Sequence, residues 1–185
     1  MLQVEATALP EVRIITPKRF GDHRGFFSET YSRQAFAEAG ITLDFVQDNH
    51  SLSAAVGTLR GLHFQAPPFA QDKLIRVPRG RILDVAVDIR ASSPNFGKFV
   101  AVELSAENWR QMLVPVGFAH GFVTLEPDTE VIYKVSAPYA PEHDRGLAYD
   151  DPAIGIDWGL PAEWLTLSDK DRRHPRLAEL PRYFA

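Results

Sequence analysis

The 185-residue sequence contains no cysteine. Disulfides and thiolate metal sites are thereby excluded, and a reducing, cytoplasmic location is expected. No apolar run approaches the roughly 20 residues needed to cross a bilayer. No membrane partner is therefore expected, and secretion is not expected either, because the N-terminal stretch around Glu5 lacks a basic-then-apolar signal pattern. Excess positive charge is missing too. With 20 Lys and Arg against 24 Asp and Glu, the net charge is -4 and no basic stripe stands out. That argues against a nucleic-acid partner while leaving room for a local anion site. Sustained helical periodicity is absent. What the sequence has in quantity is punctuation, in 14 prolines and 12 glycines.

Between these breaks lie short segments of β character at 12–15, 26–31, 45–50, 74–77, 81–90, 98–104, 111–114, 119–124 and 129–136. Strands recurring every roughly 8–12 residues predict an all-β sandwich or barrel, here one domain over 1–185. Ser32 is placed to cap a short helix over 33–39, which Gly40 stops. Beyond Pro152 the chain is irregular, with one helical turn expected at 162–165. The tail still carries Trp158, Trp164 and Leu167, so it should pack on the sheets. In segment 81–90, Asp84, Asp88 and Arg90 alternate regularly with apolar residues and are expected to face water.

The segment 57–65, Gly-Thr-Leu-Arg-Gly-Leu-His-Phe-Gln, is unusual. It puts Arg60 and His63 three positions apart on an apolar stretch, where residues i and i+3 of a regular strand point to opposite faces. A bulge near Gly61 would bring them to the same side. Taken alone, the segment reads better as a surface arginine and a satisfied core histidine. However, Glu29, Lys73, Asp84, Asp88, His120 and Tyr133 also lie in or beside β segments. So many ionisable groups are costly inside a sheet protein unless they line a wet cavity.

Pro115-x-Gly117-x-x-His120 resembles the second motif of the cupin jelly rolls. Where the first cupin motif carries paired histidines, this chain reads His63-Phe64-Gln65, which points to a metal-free cupin. Further motifs follow in order: Phe20-Gly-Asp-x-Arg-Gly-Phe-Phe27, Phe45-Val-Gln-Asp-Asn-His50, Leu59-Arg-Gly-Leu-His63, Gln71-Asp-Lys-Leu-Ile-Arg76, Asp84-Val-Ala-Val-Asp-Ile-Arg90, Gly117-Phe-Ala-His-Gly-Phe122, Tyr133-Lys134 and Leu167-Ser-Asp-Lys-Asp171. Over residues 12–175 the chain resembles the dTDP-4-dehydrorhamnose 3,5-epimerases.

The resemblance implies a cupin-type double-stranded β-helix (jelly roll) with short helical segments and an irregular C-terminal tail. It implies a dTDP-4-keto-6-deoxyhexose substrate, no cofactor, no metal, and a homodimer that exchanges N-terminal segments. By resemblance His63 is the base, Asp171 orients it, Tyr133 is the acid on the opposite face and Lys73 lies beside the C4 oxygen. Arg24, Glu29, Gln47, Asn49, Arg60, His120, Asp144 and Lys170 match substrate-binding positions, with Phe27 or Tyr139 stacking on the base. Asp144 stands where glutamate is usual, Tyr149-Asp150 where Trp-Asn is common, and Gly159 where proline is frequent. Other readings of the same motifs are a single-carbon epimerase of a related sugar, a metal-dependent cupin, and a sugar-nucleotide-binding module without turnover.

Overall fold

Period-2 patterning between closely spaced turns leaves this chain little option but short antiparallel strands. In the computed structural model, which describes residues 2–185, these are β1 (Gln3–Ala6), β2 (Arg13–Thr16), β3 (Arg19–Asp22), β4 (Gly25–Ser28), then helix α1 (Arg33–Glu38), and β5 (Gln47–Ser53), β6 (Leu59–Gln65), β7 (Lys73–Arg79), β8 (Arg81–Asp88), β9 (Phe99–Ser105), β10 (Gln111–Val114), β11 (Phe118–Thr124), β12 (Thr129–Val135) and β13 (Asp144–Gly146). A six-stranded sheet runs β1-β2-β10-β7-β12-β5 and a five-stranded sheet runs β13-β6-β11-β8-β9, while β3 and β4 form a separate hairpin. From β5 onward successive strands alternate between the two sheets, except at the β8–β9 hairpin. That alternation is the jelly-roll winding.

Apolar residues from both sheets close the interior. Ile75, Met112 and Val131 of one sheet meet Ile82, Ala86 and Phe122 of the other. The outer face of the five-stranded sheet is also covered. Leu62, Val85 and Val123 pack under Leu147, just after β13, and the tail residue Trp158, with Leu167 and Tyr183 partly buried against them. The tail therefore docks as its apolar content suggests, through Trp158 and Leu167. Trp164 does not take part and stays 59% exposed. On the outer face of the six-stranded sheet, α1 buries Phe36 against Ile15, Leu74 and Leu113. Ser32 caps this helix by accepting the Ala35 N–H.

Because both faces of β8 are covered, the expectation that Asp84, Asp88 and Arg90 face water is overturned. Asp84 and Asp88 are each fully buried. Asp88 accepts from Arg90 Nη2 at 2.7 Å and Ser93 Oγ at 2.6 Å. Arg90 is partly buried, lies over the Phe118 ring and reaches Glu11 at 2.9 Å. The strand expected over 26–31 is also shorter than its pattern suggests. β4 ends at Ser28, and Phe26 and Phe27 are exposed, because that hairpin joins neither large sheet.

The bulge expected near Gly61 is present. β11 pairs His120 with His63 and Phe122 with Arg60, so three steps along β6 match two along β11. Gly61 adopts φ +136°, and a Cβ there would lie 2.6 Å from Gly121 Cα. A Cβ on Gly121 would lie 2.8 Å from the Arg60 carbonyl oxygen. Two facing glycines thus let the backbones approach where the strand must bend. Gly121→Ala is expected to destabilise the fold by about 1–3 kcal/mol through overpacking against backbone. Urea denaturation should show the midpoint falling, and an unchanged midpoint would mean the two strands can part at no cost.

Candidate active site

The bulge turns Arg60 and His63 toward one cavity of about 430 Å³. Its walls come from both sheets and the tail: Arg60 and His63 of β6, Lys73 of β7, His120 of β11, Tyr133 of β12, and Lys170 and Asp171. A second cavity of about 320 Å³ shares His63, Lys73, Tyr133 and Lys170 and extends to Gln47, Asn49, Tyr139 and Asp144. Together they form one groove.

His63 Nε2 lies 2.6 Å from Asp171 Oδ1, across 108 residues of sequence. A carboxylate only accepts, so Nε2 carries the proton and Nδ1 is the nitrogen with a free lone pair. Burial pushes the His63 pKa down, against the upward pull of Asp171, and nearby Lys73 and His174 push it further down. The imidazole is therefore neutral, and able to take a proton, at physiological pH. Burial pushes Asp171 up, but His174, His63 and Ser168 outweigh it and hold the carboxyl well below the usual range. Asp171 sits in the short 3-10 turn Asp171–Arg173, and its backbone N–H donates to Ser168 Oγ at 3.1 Å. The charged run around it, which on its own would suggest solvent, does not expose Asp171: it is 5% exposed.

Lys73 is buried at the start of β7, and its Nζ donates to the His63 carbonyl at 3.4 Å. Burial pulls its pKa down to about 8, opposed by the charges of Asp144 and Asp84. Tyr133 enters from β12, in the sheet facing that of His63. Burial pushes its pKa up, with Arg60 opposing, so the phenol keeps its proton at neutral pH. His120 Nε2 lies 2.7 Å from buried Asp84 Oδ1. One groove therefore holds a neutral imidazole on one wall, a protonated phenol on the other, and a lysine ammonium beside the His63 backbone. It can accept a proton on one side of a bound carbon acid, donate on the other and stabilise negative charge formed between them.

The expected binding residues divide into two groups. Arg60 is oriented by Ser53 Oγ and the Leu52 carbonyl, both at 3.2 Å. Gln47 Nε2 donates to Asn49 Oδ1 at 2.9 Å, and its Oε1 accepts the Tyr139 N–H at 3.1 Å. The Tyr139 hydroxyl and the Lys170 ammonium both meet Asp144 Oδ2. His120 completes this group. Arg24 and Glu29 do not reach the groove of their own chain. Arg24 is on the exposed turn of the β3–β4 hairpin, paired with Asp22 at 2.5 Å, and Glu29 is exposed beside α1. Phe27 lies with Arg24, so of the two stacking candidates only Tyr139 lines the groove.

Gln65 takes the place of a second histidine as a staple. Its Nε2 donates to the Phe69 and Pro138 carbonyls at 2.7 and 3.1 Å, and its Oε1 accepts the Ala140 N–H at 2.8 Å. Two of these three bonds go to backbone on either side of Tyr139. Sequence reasoning missed Asp84 as the partner of His120 and missed His174 beside Asp171. An acidic residue opposite a histidine was visible only after strand pairing, and His174 sits in a charged run that signals nothing. By NMR, His63 is expected to titrate below the ordinary 6.5. Asp171→Asn should lower it further, because the carboxylate is what favours the imidazolium. A His63 pKa that rises in that variant would remove Asp171 as its partner.

The family model described as dTDP-4-dehydrorhamnose 3,5-epimerase matches residues 6–179. A curated protein of that name from Sinorhizobium fredii is 54% identical over 177 residues, covering 96% of this chain and 90% of its own length. The crystal structure of dTDP-6-deoxy-D-glucose-3,5-epimerase from Legionella pneumophila, in complex with dTDP-4-keto-L-rhamnose, superposes with a TM-score of 0.93 at 45% identity, over 100% of both chains. That of dTDP-4-dehydrorhamnose 3,5-epimerase from Bacillus anthracis, with TDP and PPi bound, has a TM-score of 0.92 at 48% identity, covering 95% of this chain and 99% of that one. With family, fold and full-length similarity agreeing, this chain belongs to the dTDP-4-dehydrorhamnose 3,5-epimerase family.

Proposed function

We propose that the protein inverts C3 and C5 of dTDP-4-dehydro-6-deoxy-D-glucose to give dTDP-4-dehydro-L-rhamnose. The observation that carries this reading is the entry of His63 and Tyr133 into one groove from opposite sheets, with Lys73 beside them. Hydrogens on C3 and C5 are α to the C4 ketone. Removing one leaves an enolate, a species that side-chain acid–base chemistry can form and quench. Inversion needs a base on one face and an acid on the other. His63 Nδ1 takes the proton, with Asp171 stabilising the imidazolium that results. The C4 oxygen gathers charge against the Lys73 ammonium. Tyr133 returns a proton to the opposite face.

Arg60 and Lys170 supply the cations for the diphosphate, where a guanidinium grips two oxygens at once. Gln47, Asn49, His120 and Asp144 hold the rest of the nucleotide sugar, with Tyr139 stacking on the pyrimidine. Arg24 and Glu29 serve the groove of a partner chain: the exposed β3–β4 hairpin, with Phe26 and Phe27 uncovered, is the segment a homodimer exchanges. The absence of cysteine supports a cytoplasmic setting.

Turnover in heavy water, followed by NMR, is expected to place deuterium at both C3 and C5. Deuterium at one carbon only would reduce the activity to single-site epimerisation. His63→Asn should lower the rate on the order of 10²–10⁴-fold while leaving dTDP affinity within error by calorimetry.

Activity should also be bell-shaped in pH. The base works only when neutral, so kcat/KM rises with pH through a His63 value below 6.5. Lys73 works only when charged, so kcat/KM falls as pH passes about 8. Lys73→Arg, whose guanidinium stays protonated, is expected to remove the alkaline limb. A limb that persists there would have to be assigned to another group.

A further inference from the structure

His174 plays no part in the proposed proton transfers, yet it is built into the site. It follows the Asp171–Arg173 turn, and its side chain is 8% exposed. Its ring fills the space beside Gly146, where any Cβ would overlap it. Its Nε2 lies 3.4 Å from Asp171 Oδ1, near enough to act on that carboxylate but out of line for a hydrogen bond, and has no other partner. Proteins seldom leave such a buried nitrogen unpaired. His63 Nε2 approaches the same oxygen at 2.6 Å, and the two imidazole rings are 5.5 Å apart and nearly perpendicular. The three ligand atoms lie within 4.8 Å of one another.

We propose that His63, Asp171 and His174 form a capture site for a borderline first-row divalent ion of the Zn²⁺ class, and that its binding switches the base off. Two imidazoles and one carboxylate are a donor set such ions accept, with a further position left open. Zn–N and Zn–O bonds of about 2.0–2.2 Å put tetrahedral ligand atoms roughly 3.3–3.5 Å apart. Asp171 and His174 already stand at that separation. His63 must draw back from 2.6 Å, and it is the ligand on the cavity wall, 32% exposed. The ion replaces the Nε2 proton as the partner of Asp171, and that proton moves to Nδ1. The imidazole stays neutral and loses its free lone pair, so it can no longer accept a substrate proton. The nearby Lys73 ammonium opposes the ion and limits its affinity. This trio shares His63 with the first motif but not the position that Gln65 occupies, because its other two ligands, Asp171 and His174, come from the tail.

Ion binding itself does not depend on the proposed reaction; only the inhibition arm rests on it. Chelator-stripped protein is titrated with ZnCl₂ by calorimetry without substrate, and with CoCl₂ by visible absorption. The native chain should bind one Zn²⁺ and give a d–d band of low-coordinate Co²⁺. His174→Asn should weaken binding by at least ~10-fold, the lower bound set by what losing even an outer-shell partner costs. His174→Gln serves if that variant does not fold. Zn²⁺ should inhibit native turnover, reversibly with EDTA and in competition with substrate, and should inhibit the His174 variant far less. No stoichiometric ion in the native protein, or undiminished binding in both His174 variants, overturns the proposal. Binding without any turnover of a 4-keto sugar would instead sink the proposed function and leave the site standing.

Discussion

The contact between His63 and Asp171 is the constraint on which the rest of the site depends. It joins the middle of β6 to a turn 108 residues later. A carboxylate can be held there only if the tail has a fixed path. Backbone hydrogen bonds supply it: Leu59 N–H to the Thr166 carbonyl at 2.9 Å, Thr166 N–H to the Gly57 carbonyl at 2.8 Å, and Ala148 N–H to the Pro175 carbonyl at 2.8 Å. Trp158 and Leu167 add apolar burial on the outer face of the five-stranded sheet. The irregular tail is therefore as much part of the framework of the groove as the strands.

Burial sets the electrostatics of the groove. It drives the His63 and Lys73 values down and the Tyr133 value up. Each shift favours the neutral form of its group, which is what loss of solvent does to an ionisable side chain. Counter-charges then decide how far each goes. Asp171 keeps His63 basic enough to serve, and Asp144 and Asp84 keep Lys73 cationic below about 8. The same sandwich walls that stabilise the fold thus prepare a neutral imidazole, a protonated phenol and an ammonium, the three groups the proposed reaction uses.

Period-2 alternation correctly located β8 and β12, and the glycine between Arg60 and His63 correctly marked the bend that brings them together. Local pattern failed where a distant segment changed the environment. Asp84 and Asp88 look solvent-facing until the tail covers one side of β8 and the opposite sheet covers the other. Asp171 looks like one more charge in a solvated run until Ser168, His63 and His174 surround it. The residues 26–31 alternate like a strand, but no large sheet receives them beyond the β3–β4 hairpin. The residues that line the groove were readable through ordered motifs, whereas their supports were not: Asp84 lies in a motif that does not reveal its partner His120, and His174 lies in none.

The placement of His63 and Tyr133 on facing sheets has a geometric consequence. Packed β-sheets keep a separation of about 10 Å, fixed by the bulk of the side chains between them. In the proposed reaction that separation is also the gap a sugar ring spans between proton acceptor and proton donor. The thickness of the sandwich works as a stereochemical ruler. A core substitution that thickens or thins it, far from any reacting atom, would change the distance over which a proton passes at each wall.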